Sequence, residues 1–397
     1  MRKQFYIIIL LFYITGNSCL IAQGLSVSGL VDSTVSLRAG AGEAPAFSYG
    51  VEEYANLRIQ AKLKDRAIFY GAFNLIAAAG DYAVAAAQIS ALAEYQGYAP
   101  YGINASAFSG GENYITGIEL ERLYFRLNGD MLDFDGGLLR LPFGYGQVWG
   151  SSDFLNPKNP LKPDARPRAV LGAGLSWYPL DSLKLLGFGA APRNPFSQSG
   201  KGGLFGISLD QHWNRASLQA LYSFESPQHG SNKGQHRAGI SVKADLEAGL
   251  VMDALYTYNS EAHTTYDGLS LSVGADYSFF DGYLIVLAEY LYNGETSSTA
   301  LGYGGSFSQE HYLYTGFTGR FNDYTNISVA LISGLSDISF IPVITLNHDL
   351  FQGATLTITA QVPMDRDLFT DNGKRGELGP QKSYNYFNCS AKLRLRF

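Results

Sequence analysis

The sequence predicts an all-β chain that closes into a transmembrane, antiparallel, up-and-down β-barrel of about 18 strands, with 16 strands as the alternative. Three observations predict this fold. Apolar and polar residues alternate with period two in many segments, which places them on opposite faces of strands. Short turns alternate with long connections along the chain. No window after residue 22 holds 18 consecutive apolar residues, so helical membrane spans are excluded.

The alternation is clear in the segment around residue 59, where Leu57, Ile59 and Ala61 interleave with Arg58 and Gln60. Similar segments lie near 25–38, 54–63, 67–78, 116–128, 131–142, 170–179, 183–191, 203–213, 216–224, 236–247, 248–259, 267–280, 282–293, 311–322, 325–334, 338–350, 353–363 and 385–397. Long connections are expected at 39–53, 79–115, 143–169, 192–202, 225–235, 294–310 and 364–384. A closed ring gives every such strand two neighbours, which a membrane requires because no water satisfies an open edge.

The composition excludes several other classes of protein. The 397 residues include 27 Tyr and 24 Phe but only 16% charged residues, which excludes a disordered chain. A soluble sandwich or solenoid also alternates and stays an alternative, but it is disfavoured because its strands usually have about 5 or 6 residues and the segments here are longer. The formal net charge of −6 argues against a nucleic-acid partner.

Residues 1–22 predict a signal peptide, which leaves 23–397 as a single barrel domain. Arg2 and Lys3 precede an apolar run from Phe5 to Ile14, and Ala22 is the small residue expected at a cleavage site. This apolar run is too short to span a bilayer. A lipoprotein signal through Cys19 is the less favoured alternative.

Two irregularities are expected within the strands. The apolar positions are even-numbered at Ile118 and Leu120 but odd-numbered at Leu123 and Phe125. One extra residue must lie between them for all four to share a face, so the sequence predicts a β-bulge near residues 121 and 122. The Gly-Gly pair at 136–137 predicts a second slip of register.

The last segment carries the clearest resemblance in the chain. Apolar residues occupy every second position up to the terminal aromatic residue, including Leu393, Leu395 and Phe397. This row resembles the assembly signal of bacterial outer-membrane β-barrel proteins. The resemblance implies an outer-membrane location, contact with outer-membrane lipid, and recognition by the barrel-assembly machinery.

A second resemblance concerns the third long connection, 143–169. Arg140, the Trp149-Gly150 pair and the Asn-Pro repeats at 156–160 are similar to segments of several bacterial porin-like families. Porins fold a loop at this place into the pore, and prolines favour a rigid loop. The resemblance implies a constriction formed by Arg140, Trp149, Asp153, Lys158, Lys162, Arg166 and Arg168. An ordinary surface loop is the alternative.

Charged residues at inward positions predict a field across the lumen. Cations fall on the second, fourth and last predicted strands, and acids fall on three strands at roughly the opposite side of the ring. The predicted pore-wall residues are Arg58, Lys62, Arg126, Asp253, Asp276, Glu289, Lys392 and Arg394. Plain solvation of these charges in the lumen is the alternative.

A barrel of this size predicts a water-filled lumen, so the expected function is an outer-membrane porin for passive diffusion of small polar solutes. The cations of the 143–169 loop predict mild anion selectivity. The alternatives are a structural or adhesive barrel without a transport role and, less favoured, an outer-membrane barrel enzyme. No cofactor, metal site or catalytic residue is predicted, and homo-oligomerisation stays open because no segment identifies a subunit interface.

Overall fold

The residues that the structure describes form one antiparallel sheet of 19 strands. The computed structural model describes residues 24–40, 46–63, 66–81, 84, 106–158, 160, 167, 169–191, 202–226, 234–259, 268–294, 307, 309–365, 376–378 and 387–397. The strands are β1 (Leu25–Gly40), β2 (Ala46–Leu63), β3 (Ala67–Ala79), β4 (Ser106–Gly110), β5 (Tyr114–Asn128), β6 (Leu132–Leu139), β7 (Val170–Leu180), β8 (Leu183–Ala190), β9 (Leu204–His212), β10 (Ala216–Glu225), β11 (Gln235–Asp245), β12 (Gly249–Asn259), β13 (Leu269–Phe279), β14 (Leu284–Asn293), β15 (His311–Asn322), β16 (Thr325–Gly334), β17 (Ser339–Phe351), β18 (Ala354–Gln361) and β19 (Phe387–Arg396).

The sheet closes on itself into a barrel. Each strand pairs with the next along the chain, except that β3 pairs with β5 and not with β4, and β19 returns to pair with β1. The short β4 lies beside β5 only, while β3 pairs directly with β5, so 18 strands form the ring. This confirms the prediction of an up-and-down barrel of about 18 strands. The predicted signal peptide, residues 1–22, lies outside the described residues.

The two ends of the barrel differ. Turns such as 181–182, 323–324 and 352–353 join strands at one end, here called the short-turn end. Connections at the other end, here called the long-loop end, include 140–169 and 294–310. Along the strands the apolar side chains that face outward are exposed, as at Val35 and Leu395, whereas polar side chains face the lumen. Among the described residues, no helix is long and apolar enough to cross a membrane.

The predicted bulge in β5 is present. Ala72 of β3 pairs with Arg122 and the next residue, Phe73, pairs with Leu120, so Glu121 is the extra residue. The inserted residue turns its carboxylate into the lumen, where it bonds to Asn56. The predicted slip at the 136–137 glycine pair is wrong, because both ladders of β6 run through it in register.

The first connection is shorter than the sequence indicates. The predicted connection 39–53 and strand 54–63 place the start of the second strand too late, because β2 begins at Ala46. Phe47, Tyr49 and Val51 continue its outward apolar row and are exposed. The two acidic residues at 52 and 53 interrupt the pattern in the sequence but not the strand.

Candidate functional site: an inner loop and the facing wall

Residues 140–158, here called the inner loop, leave β6 and run along the lumen side of the wall. The backbone N–H of Gly144 donates to Gln219 Oε1 of β10 (2.6 Å). The next two N–H groups, of Tyr145 and Gly146, donate to the two carboxylate oxygens of Asp253 on β12 (2.9 and 2.8 Å). Three consecutive backbone donors are therefore bound by inward side chains of the barrel.

Glu289 of β14 binds the next stretch of the inner loop. Its Oε2 accepts the N–H groups of Gln147 and Val148, and its Oε1 accepts that of Trp149, each at 2.9 Å. The indole Nε1 of Trp149 donates to the backbone carbonyl of Glu289 (3.1 Å). Asp253 and Glu289 are 0% and 1% exposed, and removing a carboxylate from water is costly unless hydrogen bonds compensate it. These backbone bonds provide that compensation.

Two glycines allow the backbone to come this close to Asp253. Gly144 has φ +80, and a Cβ added there would lie 2.5 Å from Asp253 Oδ2. A Cβ at Gly146 would lie 2.6 Å from the nitrogen of Gly150 and 2.9 Å from the same carboxylate oxygen. A side chain at either position would therefore displace the carboxylate that binds the loop.

The inner loop also has hydrogen bonds of its own. Asn156 Oδ1 accepts the N–H of Leu141 (2.8 Å), and Asp153 Oδ1 accepts those of Phe143 (3.4 Å) and Asn156 (3.2 Å). Lys158 donates to the carbonyl of Gly146. Burial raises the pKa of Asp153 to about 8, although these N–H groups and the charge of Lys158 act in the opposite direction.

Apolar side chains on the lumen side of the wall pack against the loop. The first cluster joins inner-loop and wall residues, with the rings of Phe143 and Phe188 4.8 Å apart. Its members are Leu139, Leu141, Phe143, Phe154, Leu155, Val170, Leu186, Phe188, Ala190, Leu204, Leu221 and Leu255. The buried guanidinium of Arg237 stacks over the ring of Phe154 at 5.1 Å. The loop is thus held by apolar contacts as well as by hydrogen bonds.

A second cluster connects the loop with two other connections at the long-loop end. Trp149 is fully buried and meets the rings of Phe307 (5.1 Å) and Tyr312 (5.6 Å). Leu378, from the connection between β18 and β19, packs in the same cluster. Beside it, the hydroxyl of Tyr312 donates to Glu377 Oε2 (2.6 Å). Three connections therefore meet at Trp149.

Cations dominate the facing wall, formed by the inward residues of β19, β1, β2, β3 and β5. These strands carry eight inward Arg or Lys residues and four inward Asp or Glu residues. The cations are Arg38, Arg58, Lys62, Arg122, Arg126, Lys392, Arg394 and Arg396, and the acids are Asp32, Glu52, Glu119 and Glu121. Some are paired, as in the bidentate contact of Arg394 with Asp32 (2.7 Å for both bonds). The wall as a whole keeps an excess of positive charge.

The structure changes the expected roles of four predicted site residues. Trp149 and Asp153, expected at the constriction, are buried between the loop and the wall. Asp253 and Glu289, expected as charges of the open lumen, lie beneath the loop and bind its backbone. Of the three acids predicted for the pore wall, only Asp276 remains partly exposed, and its carboxylate accepts a hydrogen bond from Gln147 Nε2 (2.8 Å).

The remaining predicted residues have the following positions. Arg140 bonds to the bulged Glu121 (3.0 Å), and Arg126 forms a bidentate pair with Asp135 (2.6 and 3.2 Å). Arg58 donates to Asn56 (2.7 Å). Lys162, Arg166 and Arg168 lie outside the described residues. The residues Leu393, Leu395 and Phe397 of the expected assembly signal face outward next to β1.

Several residues that hold the loop were missed in the sequence. Gln219 and Asn156 bind its backbone, and Gly144 and Gly146 make room for Asp253. The sequence does contain an indication that a loop covers this part of the wall. Leu255 and Leu291 are large apolar residues at positions that face inward, where a water-filled lumen favours polar residues. Apolar residues on both faces of neighbouring strands indicate that something covers the inner face.

Comparison with known proteins shows similarity in structure only. No protein-family model matches the chain. No curated protein matches it either. Among the described residues, no group of three or more His, Cys, Asp or Glu side chains could hold a metal ion.

Solved structures of bacterial porins share the fold. Acinetobacter baumannii OccAB4 is 12% identical with a TM-score of 0.53, and the match covers 95% of this chain and 99% of that one. Pseudomonas aeruginosa OccK7 (OpdD) is 10% identical with a TM-score of 0.53, over 94% of this chain and 99% of that one. A mutant of the Rh. blastica porin is 12% identical with a TM-score of 0.47, over 94% and 100%. The chain has the fold of bacterial outer-membrane porins.

Proposed function

We propose that this protein is an outer-membrane channel for passive diffusion of small polar solutes, with a mild preference for anions. Barrels of 16 to 18 strands are wide enough to keep an aqueous lumen. The arrangement that carries the proposal is the inner loop, which covers Asp253 and Glu289 and leaves the cation-rich wall facing the open part of the lumen. Solutes that pass beside that wall meet positive potential.

The preference for anions follows from which charges are close to the solute. Exposed charges farther away than the Debye length, about 8 to 10 Å, are largely screened, so the net charge of the whole chain does not set the potential of the lumen. Arginine guanidinium groups fit carboxylate and phosphate solutes. Lys162, Arg166 and Arg168 of the predicted constriction would add to the positive potential if they also face the lumen.

Conductance separates this function from the alternatives. A structural or adhesive barrel gives no discrete open steps when it is reconstituted in a planar bilayer, whereas a diffusion channel does. We expect neither a cofactor nor an enzymatic activity. Absence of single-channel steps from folded, heat-modifiable protein would rule out the channel.

Reversal potentials across a salt gradient test the selectivity. We expect the wild type to prefer anions, and a double variant, Lys62→Glu with Lys392→Glu on the cation-rich wall, to lose or reverse that preference. Lys243→Glu is the matched control, because Lys243 faces inward on β11, away from that wall, and pairs with Asp245 (3.2 Å). A separate triple change of Lys162, Arg166 and Arg168 to Glu tests whether those residues contribute. A cation-selective wild type would contradict the proposed preference.

A further inference from the structure

A small cavity lies on the lumen side of the wall where β18, β19 and β1 meet, near the long-loop end. Its volume is about 100 Å³, which is enough for several water molecules. Six uncharged polar side chains line it and are here called the hydroxyl niche. They belong to Thr34, Ser36, Thr359, Gln361, Asn388 and Ser390. Among the described residues that line the cavity, none is Asp, Glu, Lys or Arg.

The register of the three strands brings the side chains of the hydroxyl niche together. Ser390 of β19 pairs with Ser36 of β1 on one side and with Thr359 of β18 on the other, so three hydroxyl groups form a row across the wall. In the next inward row toward the long-loop end, Asn388 pairs with Gln361. Neighbouring strands lie about 4.8 Å apart, so each row places polar groups within reach of one small solute.

The protein leaves the polar groups of the niche open. In the described part of the chain, the hydroxyls of Ser36 and Ser390 have no hydrogen-bond partner, and Thr359 Oγ1 has one long contact, with Thr345 Oγ1 (3.4 Å). The Oδ1 atom of Asn388 is buried, and it too has no hydrogen-bond partner. A buried acceptor without a donor is destabilising, so a donor that enters the cavity is favoured.

Hydroxyls of the adjoining wall instead bond to one another. Thr318 Oγ1 of β15 and Ser328 Oγ of β16 lie 2.9 Å apart. Thr357 Oγ1 of β18 donates to Asn347 Oδ1 of β17 (2.7 Å). Polar side chains of this wall can therefore satisfy each other across the strands. The hydroxyl niche differs because its donors and acceptors stay available to a ligand.

The chemistry of the niche fits the hydroxyl groups of a sugar. Serine and threonine hydroxyls donate and accept, and the Asn and Gln amides offer both kinds of group. Rotation of the Asn388 amide about its Cβ–Cγ bond directs Oδ1 into the cavity, where it requires a donor. A sugar hydroxyl supplies this donor, whereas a carboxylate is an acceptor only. Neighbouring hydroxyls of a sugar ring can also replace the water of such a cavity, because they form the same hydrogen bonds.

We propose that the hydroxyl niche is a binding subsite for a neutral saccharide, which it holds through the sugar hydroxyls. Arg38 pairs with Asn388 and Lys392 pairs with Thr34, so both cations flank the niche without lining it. The role of the niche in permeation rests on the channel function proposed above, whereas binding itself does not. In that channel a neutral sugar pauses at the niche, and the flux of sugar saturates with its concentration.

Saturation-transfer NMR on the folded, detergent-solubilised barrel tests binding without requiring transport. Glucose is the probe. Tetraethylene glycol is the comparison solute, because it is of similar size but its interior oxygens are ethers, which accept hydrogen bonds and donate none. We expect transfer to glucose that saturates with concentration and much less transfer to the glycol. Absence of transfer to glucose, or equal transfer to both solutes, would overturn the proposal. Binding of glucuronate without binding of glucose would also overturn it, because recognition would then depend on charge.

Two double variants test the location of the site. Ser36→Ala with Ser390→Ala removes two open hydroxyls of the niche, so we expect the affinity for glucose to fall at least about fivefold. Thr318→Val with Ser328→Ala is the matched control, because it removes two hydroxyls that bond to each other, and it should bind glucose like the wild type. Asn388→Ala is a second niche variant and should also weaken binding. Equal weakening in the control, or unchanged binding in folded niche variants, would overturn the proposal.

Single-channel recordings separate the sugar site from the channel function. We expect open steps whose current decreases saturably with added glucose in the wild type and in the control, but not in the Ser36→Ala, Ser390→Ala variant. If no open steps occur and glucose still binds, the diffusion channel is wrong and the sugar site stands. If open steps occur and glucose does not bind, the channel stands and the sugar site is wrong.

Discussion

At the level of single residues, the inner loop depends on buried carboxylates whose lone pairs face backbone donors. Glu289 accepts three consecutive N–H groups through its two oxygens. An ionised carboxylate is an acceptor only, whereas an amide of the same shape has one acceptor oxygen and an NH₂ donor. The two oxygens of Glu289 therefore both bind the backbone of the inner loop.

This difference predicts that Glu289→Gln releases the inner loop. In this variant the side-chain NH₂ of the glutamine points at backbone N–H groups, which it cannot accept. Each buried N–H left without an acceptor destabilises the bound loop by about 1–3 kcal/mol. We expect a larger and noisier single-channel conductance. Asp276→Asn is the control, because it removes the same charge but affects one partly exposed bond, to Gln147 Nε2. If both variants change selectivity equally and neither changes conductance, Glu289 acts through its charge and the predicted release is wrong.

The raised pKa of Asp153 predicts a pH dependence of the loop. Since the folded protein holds the proton up to about pH 8 and the unfolded chain loses it near 3.8, stability contributed by this site is highest at low pH. It falls as the pH rises from about 4 to about 8 and is constant above that. We expect channel noise to increase over this range.

The variant Asp153→Asn tests the assignment of that pH dependence. The amide oxygen can still accept the N–H groups of Phe143 and Asn156, but it does not titrate. Recordings between pH 5 and 9 should therefore show a flat response in the variant. A variant with the pH response of the wild type would assign the titration to another group.

At the level of elements, the inner loop requires glycine where it passes over Asp253. Gly146→Ala should displace the loop, because the added Cβ would lie 2.6 Å from the nitrogen of Gly150. We expect a higher conductance and faster proteolysis within 140–158. Gly187→Ala is the control, since nothing lies within 4 Å of the added Cβ on β8. An unchanged conductance for Gly146→Ala would show that the loop adapts without moving.

The elements also show what sequence patterns predict and where they fail. The alternation of apolar and polar residues predicts most strands, because side chains that face lipid are apolar and side chains that face the lumen are polar. The apolar positions shift by one residue at Glu121, which predicts the bulge for the same reason. The pattern fails at β2, where Glu53 breaks the outward apolar row and gives the appearance of a connection. It also cannot assign Asp253 and Glu289, because a lumen carboxylate looks the same in sequence whether water or a loop backbone satisfies it.

At the level of the whole molecule, closure of the barrel depends on the contact between β1 and β19. Gly29 and Phe397 exchange backbone hydrogen bonds (2.9 and 3.1 Å), so the last residue of the chain is part of the ladder. The ring of Phe397 lies over Gly29: a Cβ added there would meet its Cζ at 2.6 Å and the carbonyl oxygen of Asn56 at 2.5 Å. Only glycine leaves room for both contacts.

Gly29→Val should therefore weaken closure of the barrel, although valine favours strands in general. A closed barrel migrates as a compact folded band on unboiled gels, and we expect the temperature at which this band is lost to fall, together with the folded yield.

Gly319→Val is the matched control, because Gly319 lies in β15 and nothing is within 4 Å of its added Cβ. Phe397→Ala together with Gly29→Val should restore part of the lost stability, since the smaller terminal residue leaves space for the valine. If Gly29→Val melts at the same temperature as Gly319→Val, the Phe397 ring moves aside without cost and barrel closure does not depend on this contact.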